Sequence, residues 1–227
     1  MAIKLTWYGH SCFLIDVDGS RLLIDPFISG NQTAPVKAED VRADFILVSH
    51  GHGDHLGDTV AIAKRNQATV ISNYEIYNWL LGKGVEKVHP QHIGGGFNYP
   101  WGRVKLTIAH HGSGLPDGAY GGNPCGFLLY LKGKKIYDAC DTSLFYDMKL
   151  IGDEGIDLAI LPIGDNFTMG PDDALRAVKL INPARVIPIH YNTFDVIQQD
   201  PEAWANRVQE ETPAKVTVMK PGDELEI

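Results

Sequence analysis

Three histidines and one aspartate fall within six consecutive residues, 50–55, of this 227-residue chain. The run His50-Gly51-His52-Gly53-Asp54-His55 follows a short apolar stretch, 45–48, that is typical of a buried strand. Apolar residues at helical spacing begin at Leu56, so the run is predicted to be a loop between a strand and a helix. The chain is therefore constrained to a fold that gathers these side chains at one end of a strand.

The spacing of these donors favours a metal centre over a solvated polar loop. His50 and His52 are alternate residues, which point the same way in extended chain. Asp54 and His55 follow one step later, where the chain turns into the helix. The four donors then converge on a space large enough for two cations. Imidazole binds zinc, iron and nickel, and a carboxylate neutralises part of the cation's charge.

Further donors follow three other predicted strands. His110 and His111 come directly after the strand 104–109, Asp141 follows the strand 135–139, and His190 follows the strand 186–189. Sites in α/β proteins gather at strand ends, so we expect these residues near the histidine run.

The remaining pattern predicts an α/β protein whose sheets are covered by helices. Strands and hairpins dominate the first half of the chain, at 4–8, 12–17, 21–24 and 70–72, and helices alternate with strands in the second half. Predicted helices are 56–65, 76–81, 144–151, 171–181 and 201–211, and other predicted strands are 125–131, 158–162 and 216–219. No long linker interrupts residues 1–227, which predicts a single domain.

Charge and cysteine usage limit the class of protein. There are 20 basic and 28 acidic residues, a formal charge of −8, which opposes non-specific nucleic-acid binding. No apolar run approaches the ~18 residues of a membrane span. The N-terminal segment lacks the features of a signal peptide, and three cysteines without a CxxC pair are typical of reduced thiols. We therefore predict a cytoplasmic protein.

The order HxHxDH, then His, then Asp, then His resembles the metallo-β-lactamase superfamily of binuclear metal hydrolases, over nearly the whole chain. Asp25-Pro26 resembles the early Asp motif of that superfamily. Other motifs resemble small metal-dependent hydrolases related to L-ascorbate-6-phosphate lactonases and to phospholipase D-type enzymes acting on N-acyl phosphatidylethanolamine. Those motifs are Gly9-His10-Ser11, Ala139-Cys140-Asp141-Thr142, the segment 161–170 and His190-Tyr191-Asn192-Thr193-Phe194. The resemblance implies a four-layer αβ/βα sandwich, with two mixed sheets flanked by helices.

The resemblance also implies how the donors are divided. One ion would take His50, His52 and His111, and the other would take Asp54, His55 and His190. Asp141 would bridge both ions, and Asp54 and Asp141 are the expected catalytic carboxylates. His110 competes with His111 for the third position of the first set, and the Gly-Ser after His111 favours the latter. The chain departs from the family at Cys140, where Gly is usual, and at Asp138, where His is common.

Four more residues are candidates for supporting or substrate-binding roles. Asp25 is expected to orient a ligand histidine, with a turn before Pro26 as the alternative. His10 is expected either at the mouth of the site, binding substrate, or as a structural histidine. Asp165 and Asn166 follow a strand and are expected to line the pocket, with a Gly-Asp-Asn turn as the alternative.

Together these features predict a hydrolase that uses a metal-bound hydroxide on a small ester, lactone or phosphorylated metabolite. The donor set lacks a thiolate, which suits two ions of zinc or manganese, with iron or nickel as further candidates. A metal-dependent phosphodiesterase or nuclease is the first alternative, and a non-enzymatic metal or ligand sensor is the second. The expected partner is a small molecule, and neither nucleic acid nor a membrane is expected. The sequence does not decide whether the protein forms a homo-oligomer.

Overall fold

The computed structural model describes residues 3–227, so Met1 and Ala2, which begin the segment in which no signal peptide is predicted, lie outside it. Two seven-stranded sheets form the framework. The first sheet contains β1 (Ile3–Trp7), β2 (Phe13–Val17), β3 (Ser20–Ile24), β4 (Phe45–Leu47), β5 (Thr69–Ser72), β6 (Val88–Pro90) and β14 (Glu224–Glu226). The second contains β7 (Gly96–Tyr99), β8 (Gly102–Ile108), β9 (Cys125–Leu131), β10 (Lys134–Asp138), β11 (Leu158–Pro162), β12 (Arg185–Ile189) and β13 (Lys215–Val216).

Each sheet is half antiparallel and half parallel. The first has the order β14-β1-β2-β3-β4-β5-β6, and its pairs are parallel from β3 onward. The second has the order β13-β12-β11-β10-β9-β8-β7, and its pairs are parallel from β10 to β13. The predicted arrangement of two mixed sheets is confirmed.

Helices cover the outer faces of both sheets, which gives the four-layer sandwich. They are α1 (Gly53–Leu56), α2 (Thr59–Asn66), α3 (Tyr74–Gly82), α4 (Met148–Gly152), α5 (Pro171–Ile181) and α6 (Pro201–Glu211). Pro171 opens α5, with Asp172 and Asp173 in its first turn, as the sequence predicts. No helix within residues 3–227 is long and apolar enough to cross a membrane.

Alternation along the strands divides the core into layers. In β3, Leu22 and Ile24 are buried between the two sheets, whereas Leu23 joins the cluster beneath the helices of the first sheet. In β4, Leu47 faces the inner layer and Ile46 the outer one. Side chains of a strand alternate between faces, so a strand buried on both faces reads as the continuous apolar run seen in the sequence.

Several predicted elements differ from the observed ones. The predicted helix 56–65 divides into α1 and α2, because Gly57 adopts a φ of +41° and Asp58 accepts hydrogen bonds from the backbone of Ile28 and Ser29. The predicted helix 144–151 begins only at Met148. Of the predicted strand 216–219, only Val216 lies in a strand, β13. The sequence does not predict β6, β7 and β14. They are short and contain no fully buried residue, so they carry almost no hydrophobic signal.

Candidate metal centre

The loops that leave the strands of both sheets meet at one end of the sandwich. The histidine run follows β4, and the β1–β2 turn and the residue after β3 approach it from the same sheet. The loops after β8, β10 and β12 approach it from the second sheet. All the strongest sequence candidates therefore lie at the junction of the two sheets.

Three histidines form the first group of donors. One ring nitrogen from each of His50, His52 and His111 lies within 4.8 Å of the others. His50 Nε2 is 3.0 Å from His52 Nδ1. His50 is fully buried, whereas His52 and His111 are partly exposed, so this side of the centre opens to solvent.

Four residues form the second group. His10, Asp54, His55 and His190 each offer one atom within 4.8 Å of the others. The three histidines are almost completely buried, and the Asp54 side chain is 27% exposed. Its Oδ2 lies 3.3 Å from His10 Nε2. The structure thus brings Asp54, His55 and His190 together as expected and places His10 inside the cluster instead of at its mouth.

Asp141 lies between the two groups. Its Oδ2 is 3.0 Å from His190 Nε2, 3.2 Å from His55 Nε2 and 3.5 Å from His111 Nε2. Within residues 3–227, His55 Nε2 and His190 Nε2 form no well-directed hydrogen bond despite lying this close to the carboxylate, and Asp141 Oδ1 is buried without a partner. Buried polar atoms normally have partners, so this set of unsatisfied lone pairs fits divalent cations.

Asp25 connects ligands of both groups. Its Oδ2 accepts a hydrogen bond from His55 Nδ1 at 2.7 Å and another from the Ser49 hydroxyl at 2.5 Å. Ser49 Oγ in turn accepts from His50 Nδ1 at 2.9 Å. One buried carboxylate therefore fixes the tautomers of His55 and His50 so that both Nε2 atoms face the centre.

Burial prepares several of these groups for metal binding. It lowers the pKa of His50 and of His111, and it lowers the pKa of His10 to about 4. Neutral imidazole is the form that ligates a cation, so these rings need not lose a proton at neutral pH. Burial opposes ionisation of Asp141, but the adjacent His190 and His55 hold its pKa well below its usual value.

Left-handed backbone recurs at the site. His10, Asp25, Cys140 and His190 have φ values of 54°, 42°, 49° and 55°. Non-glycine residues rarely adopt this region, and clusters of them are typical of functional sites. The positive φ at Cys140 is a conformation that Gly adopts without steric cost, which agrees with the Gly that the family resemblance leads us to expect there. Here the Cys140 side chain is buried in the core, and that burial offsets the backbone cost.

Two glycines permit close backbone approaches beside the ligands. A Cβ on Gly57 would collide with the carbonyl oxygen of Pro26, next to Asp25. A Cβ on Gly164 would collide with the carbonyl oxygen of His190. These contacts fix the spacing between loops that carry the donors.

The adjacent histidines of the β8 loop have different surroundings. His111 lies in the first donor group, whereas the exposed His110 packs its ring on Phe145 at 5.2 Å between centroids. The His110 backbone N–H donates to the Thr142 hydroxyl at 2.9 Å, which joins this loop to the segment after Asp141. Geometry therefore favours His111 as the donor.

Asp165 and Asn166 lie in an exposed turn after β11 and belong to neither donor group. Both have positive φ values, 62° and 48°, as the alternative of a Gly-Asp-Asn turn predicts. The turn still contacts the centre indirectly, because the Met169 backbone N–H donates to the Thr142 carbonyl at 3.0 Å.

Two supporting residues were missed in the sequence. Ser49 precedes His50 and joins it to Asp25, and the Thr193 hydroxyl lies 3.0 Å from His10 Nδ1. A hydroxyl beside a ligand histidine has no distinctive sequence pattern. Only its position directly before His50 could have drawn attention to Ser49.

Known proteins resemble the chain in both sequence and structure. Residues 20–191 match the model of the beta-lactamase superfamily domain. A UPF0173 metal-dependent hydrolase of Desulforamulus reducens is 52% identical over 99% of this chain and 100% of its own. Another, from Anoxybacillus flavithermus, is 53% identical over 91% of this chain and 94% of its own. The solved structure of a metallo hydrolase from the archaeon Ignicoccus hospitalis is 36% identical, with a TM-score of 0.91 and coverage of 100% and 99%.

Proposed function

Because the chain belongs to the beta-lactamase superfamily and, within it, to the UPF0173 family of metal-dependent hydrolases, we propose that it uses two divalent cations to hydrolyse a small ester, lactone or phosphorylated metabolite. The position of Asp141 Oδ2 carries the proposal. It lies within 3.0–3.5 Å of histidines from both donor groups. A single carboxylate in contact with both groups is suited to hold two cations side by side.

The family resemblance supplies the division of the donors between the two ions. His50, His52 and His111 would hold one ion, Asp54, His55 and His190 the other, and Asp141 both. Imidazole and carboxylate donors suit zinc or manganese, and iron or nickel are further candidates. Such ions supply Lewis acidity and a bound water that ionises near neutral pH.

The protein's own residues would orient the metal ligands and determine the side from which a substrate enters. The buried Asp25 carboxylate keeps the Nε2 lone pairs of His50 and His55 directed inward. The partly exposed His52, Asp54 and His111 mark the side from which a substrate approaches. Asp54 is the carboxylate that solvent reaches most easily, at 27% exposure against 2% for Asp141. We therefore assign Asp54 to the open side of the centre, where it would contact the attacking water or a bound substrate.

Metal content per chain is the first test. Protein purified without chelator and dialysed against excess zinc or manganese should retain about two ions per chain by plasma mass spectrometry. The loaded protein should then hydrolyse members of a panel of esters, lactones and phosphomonoesters. About one ion per chain would contradict the binuclear assignment and direct attention to a mononuclear enzyme, such as an iron dioxygenase. No ions after reloading would contradict the centre altogether.

The same panel separates the alternative functions. Cleavage of a fluorogenic phosphodiester, without hydrolysis of the other substrates, would favour the phosphodiesterase or nuclease. The charge of −8 opposes a nucleic-acid substrate. Tight binding of a metabolite without turnover would favour the sensor.

We further propose that the protein works in the cytoplasm on a small-molecule partner. Cys12, Cys125 and Cys140 are all buried and free, which suits a reducing compartment. Fractionation of cells expressing the full chain at native level tests this location.

A further inference from the structure

The turn between β1 and β2 places a histidine beside the second donor group. His10 is 1% exposed, and its ring centroid lies 4.0 Å from that of His190. The His10 carbonyl accepts hydrogen bonds from the His190 backbone N–H at 3.2 Å and from Trp7 Nε1 at 3.1 Å. The backbone of this turn is therefore held by contacts to both sheets.

The contacts of His10 are compatible with a tautomer whose Nε2 lone pair points towards Asp54. Thr193 Oγ1 lies 3.4 Å from the Tyr191 carbonyl and 3.0 Å from His10 Nδ1, so a hydroxyl that donates to the carbonyl is free to accept from Nδ1. With the proton on Nδ1, the Nε2 lone pair faces Asp54 Oδ2 at 3.3 Å. Two acceptors this close repel each other unless a cation lies between them.

The distances suit one shared ion. Metal–donor bonds of about 2.0–2.2 Å place neighbouring donors roughly 2.9–3.5 Å apart around a single cation. The separation of 3.3 Å between His10 and Asp54 lies in that range, and His55 and His190 offer nitrogens within 4.8 Å of both. Phe27 and Phe194 flank the ring at 5.6 and 5.4 Å between centroids, so packing alone is the competing explanation for its position.

We propose that His10 is a further direct ligand of the second cation, beside Asp54, His55, His190 and the shared Asp141. This inference rests on the proposed binuclear centre. With His10 as a ligand, the two cation positions differ in their number of protein donors. Three histidines and Asp141 suit a four-coordinate ion at the first position. Five protein donors at the second favour an ion that accepts five or six ligands, such as manganese, iron or nickel, over tetrahedral zinc.

The test compares metal binding by the full-length wild type and by His10→Phe, which keeps a ring between Phe27 and Phe194 but removes the nitrogen donor. His110→Phe is the matched control, because His110 lies outside both groups. Each protein is loaded with cobalt(II), its content is measured, and its visible absorption and chelator competition are recorded. Melting temperature and circular dichroism check the fold.

We expect wild type and His110→Phe to bind two ions with the same spectrum. His10→Phe should hold one ion normally and the other at least about 10-fold more weakly, with stronger cobalt absorption because the coordination number falls. Two ions of unchanged affinity and spectrum in His10→Phe would overturn the inference and leave the proposed function intact. If His10→Phe does not fold, Thr193→Val replaces it: a weakened second ion supports the inference, and an unchanged one overturns it.

Fewer than two ions in wild type would instead contradict the binuclear proposal. Loss of a single bound ion in His10→Phe, but not in His110→Phe, would still support His10 as a ligand. Retention of that ion in both variants would overturn it.

Discussion

The first sheet places most of its donors in one uninterrupted run, whereas the second sheet supplies its donors one at a time. His50, His52, Asp54 and His55 all follow β4. His111, Asp141 and His190 each follow a different strand of the second sheet. Neither sheet offers a complete set of donors for either proposed ion, so the centre depends on the docking of the two sheets as much as on the histidine run.

The variant expected to have the largest effect is Asp141→Asn, because Asp141 lies between the donors of the two sheets. The substitution keeps the shape of the side chain but removes the charge that faces donors from both sheets. We expect metal content to fall below two ions per chain and kcat to fall by at least about 10²-fold. His50→Ala should act similarly from the first sheet, with the fold retained by circular dichroism. An Asp141→Asn enzyme with full metal content and normal turnover would show that the sheets do not share a ligand.

The next largest effect separates two neighbours in the second sheet. His111→Ala removes a nitrogen of the first donor group, whereas His110→Ala removes a ring that packs on Phe145. We expect His111→Ala to weaken metal binding more than about 10-fold, and His110→Ala to change stability by about 0.5 kcal/mol or less. Chelator competition on both variants measures the difference. The reverse order would exchange the two assignments.

A smaller effect distinguishes the supporting contacts of the first sheet. Asp25→Asn disturbs the hydrogen bonds to both His55 and Ser49, so both ions should bind roughly 10- to 100-fold more weakly. Ser49→Ala breaks only the connection to His50, so the first ion alone should weaken. Metal titrations with each variant give the two affinities. Equal losses from Ser49→Ala at both positions would contradict this division of roles.

The last test concerns stability and a carboxyl that is not a donor. Burial raises the pKa of Asp138, three residues before Asp141, to about 7. The native state therefore holds this proton more tightly than the unfolded chain, and stability is lost as the pH rises from about 4 to about 7. Asp138→Asn removes the cost, and we expect it to stabilise the protein by roughly 2–4 kcal/mol above pH 7 and by little below pH 4.

Denaturant unfolding of wild type and Asp138→Asn at pH 4 and pH 8 measures that difference. Asp141→Asn is the contrasting variant, because the pKa of Asp141 is lowered instead of raised. A stability gain that is equal at both pH values would refute the ionisation argument.

The sequence predicts the fold and the donors best where the signal is local. The alternation of strands and helices was sufficient to predict an α/β fold, and the histidine run and the strand ends were sufficient to select donors that the structure brings together. The family resemblance supplied the two mixed sheets. That resemblance, and not the spacing, also supplied the division of the donors between two ions.

What the sequence could not predict depends on distant contacts. His10 enters the cluster because the β1–β2 turn is tied to the end of β12, a contact between residues 180 positions apart. The same holds for the Ser49 connection to Asp25 and for the short exposed strands β6, β7 and β14. None of these has a periodic apolar pattern, since tertiary packing decides them.

The close approach of Gly164 to the His190 carbonyl has a consequence for variation at this site. Every other amino acid would force the end of β12 away from β11 and carry His190 with it. In a saturation library selected for activity, Gly164 should tolerate as few replacements as a ligand, although it contributes no donor atom. The positions that tolerate no replacement would therefore include residues that hold no cation. At those positions a side chain would collide with the backbone of a neighbouring loop.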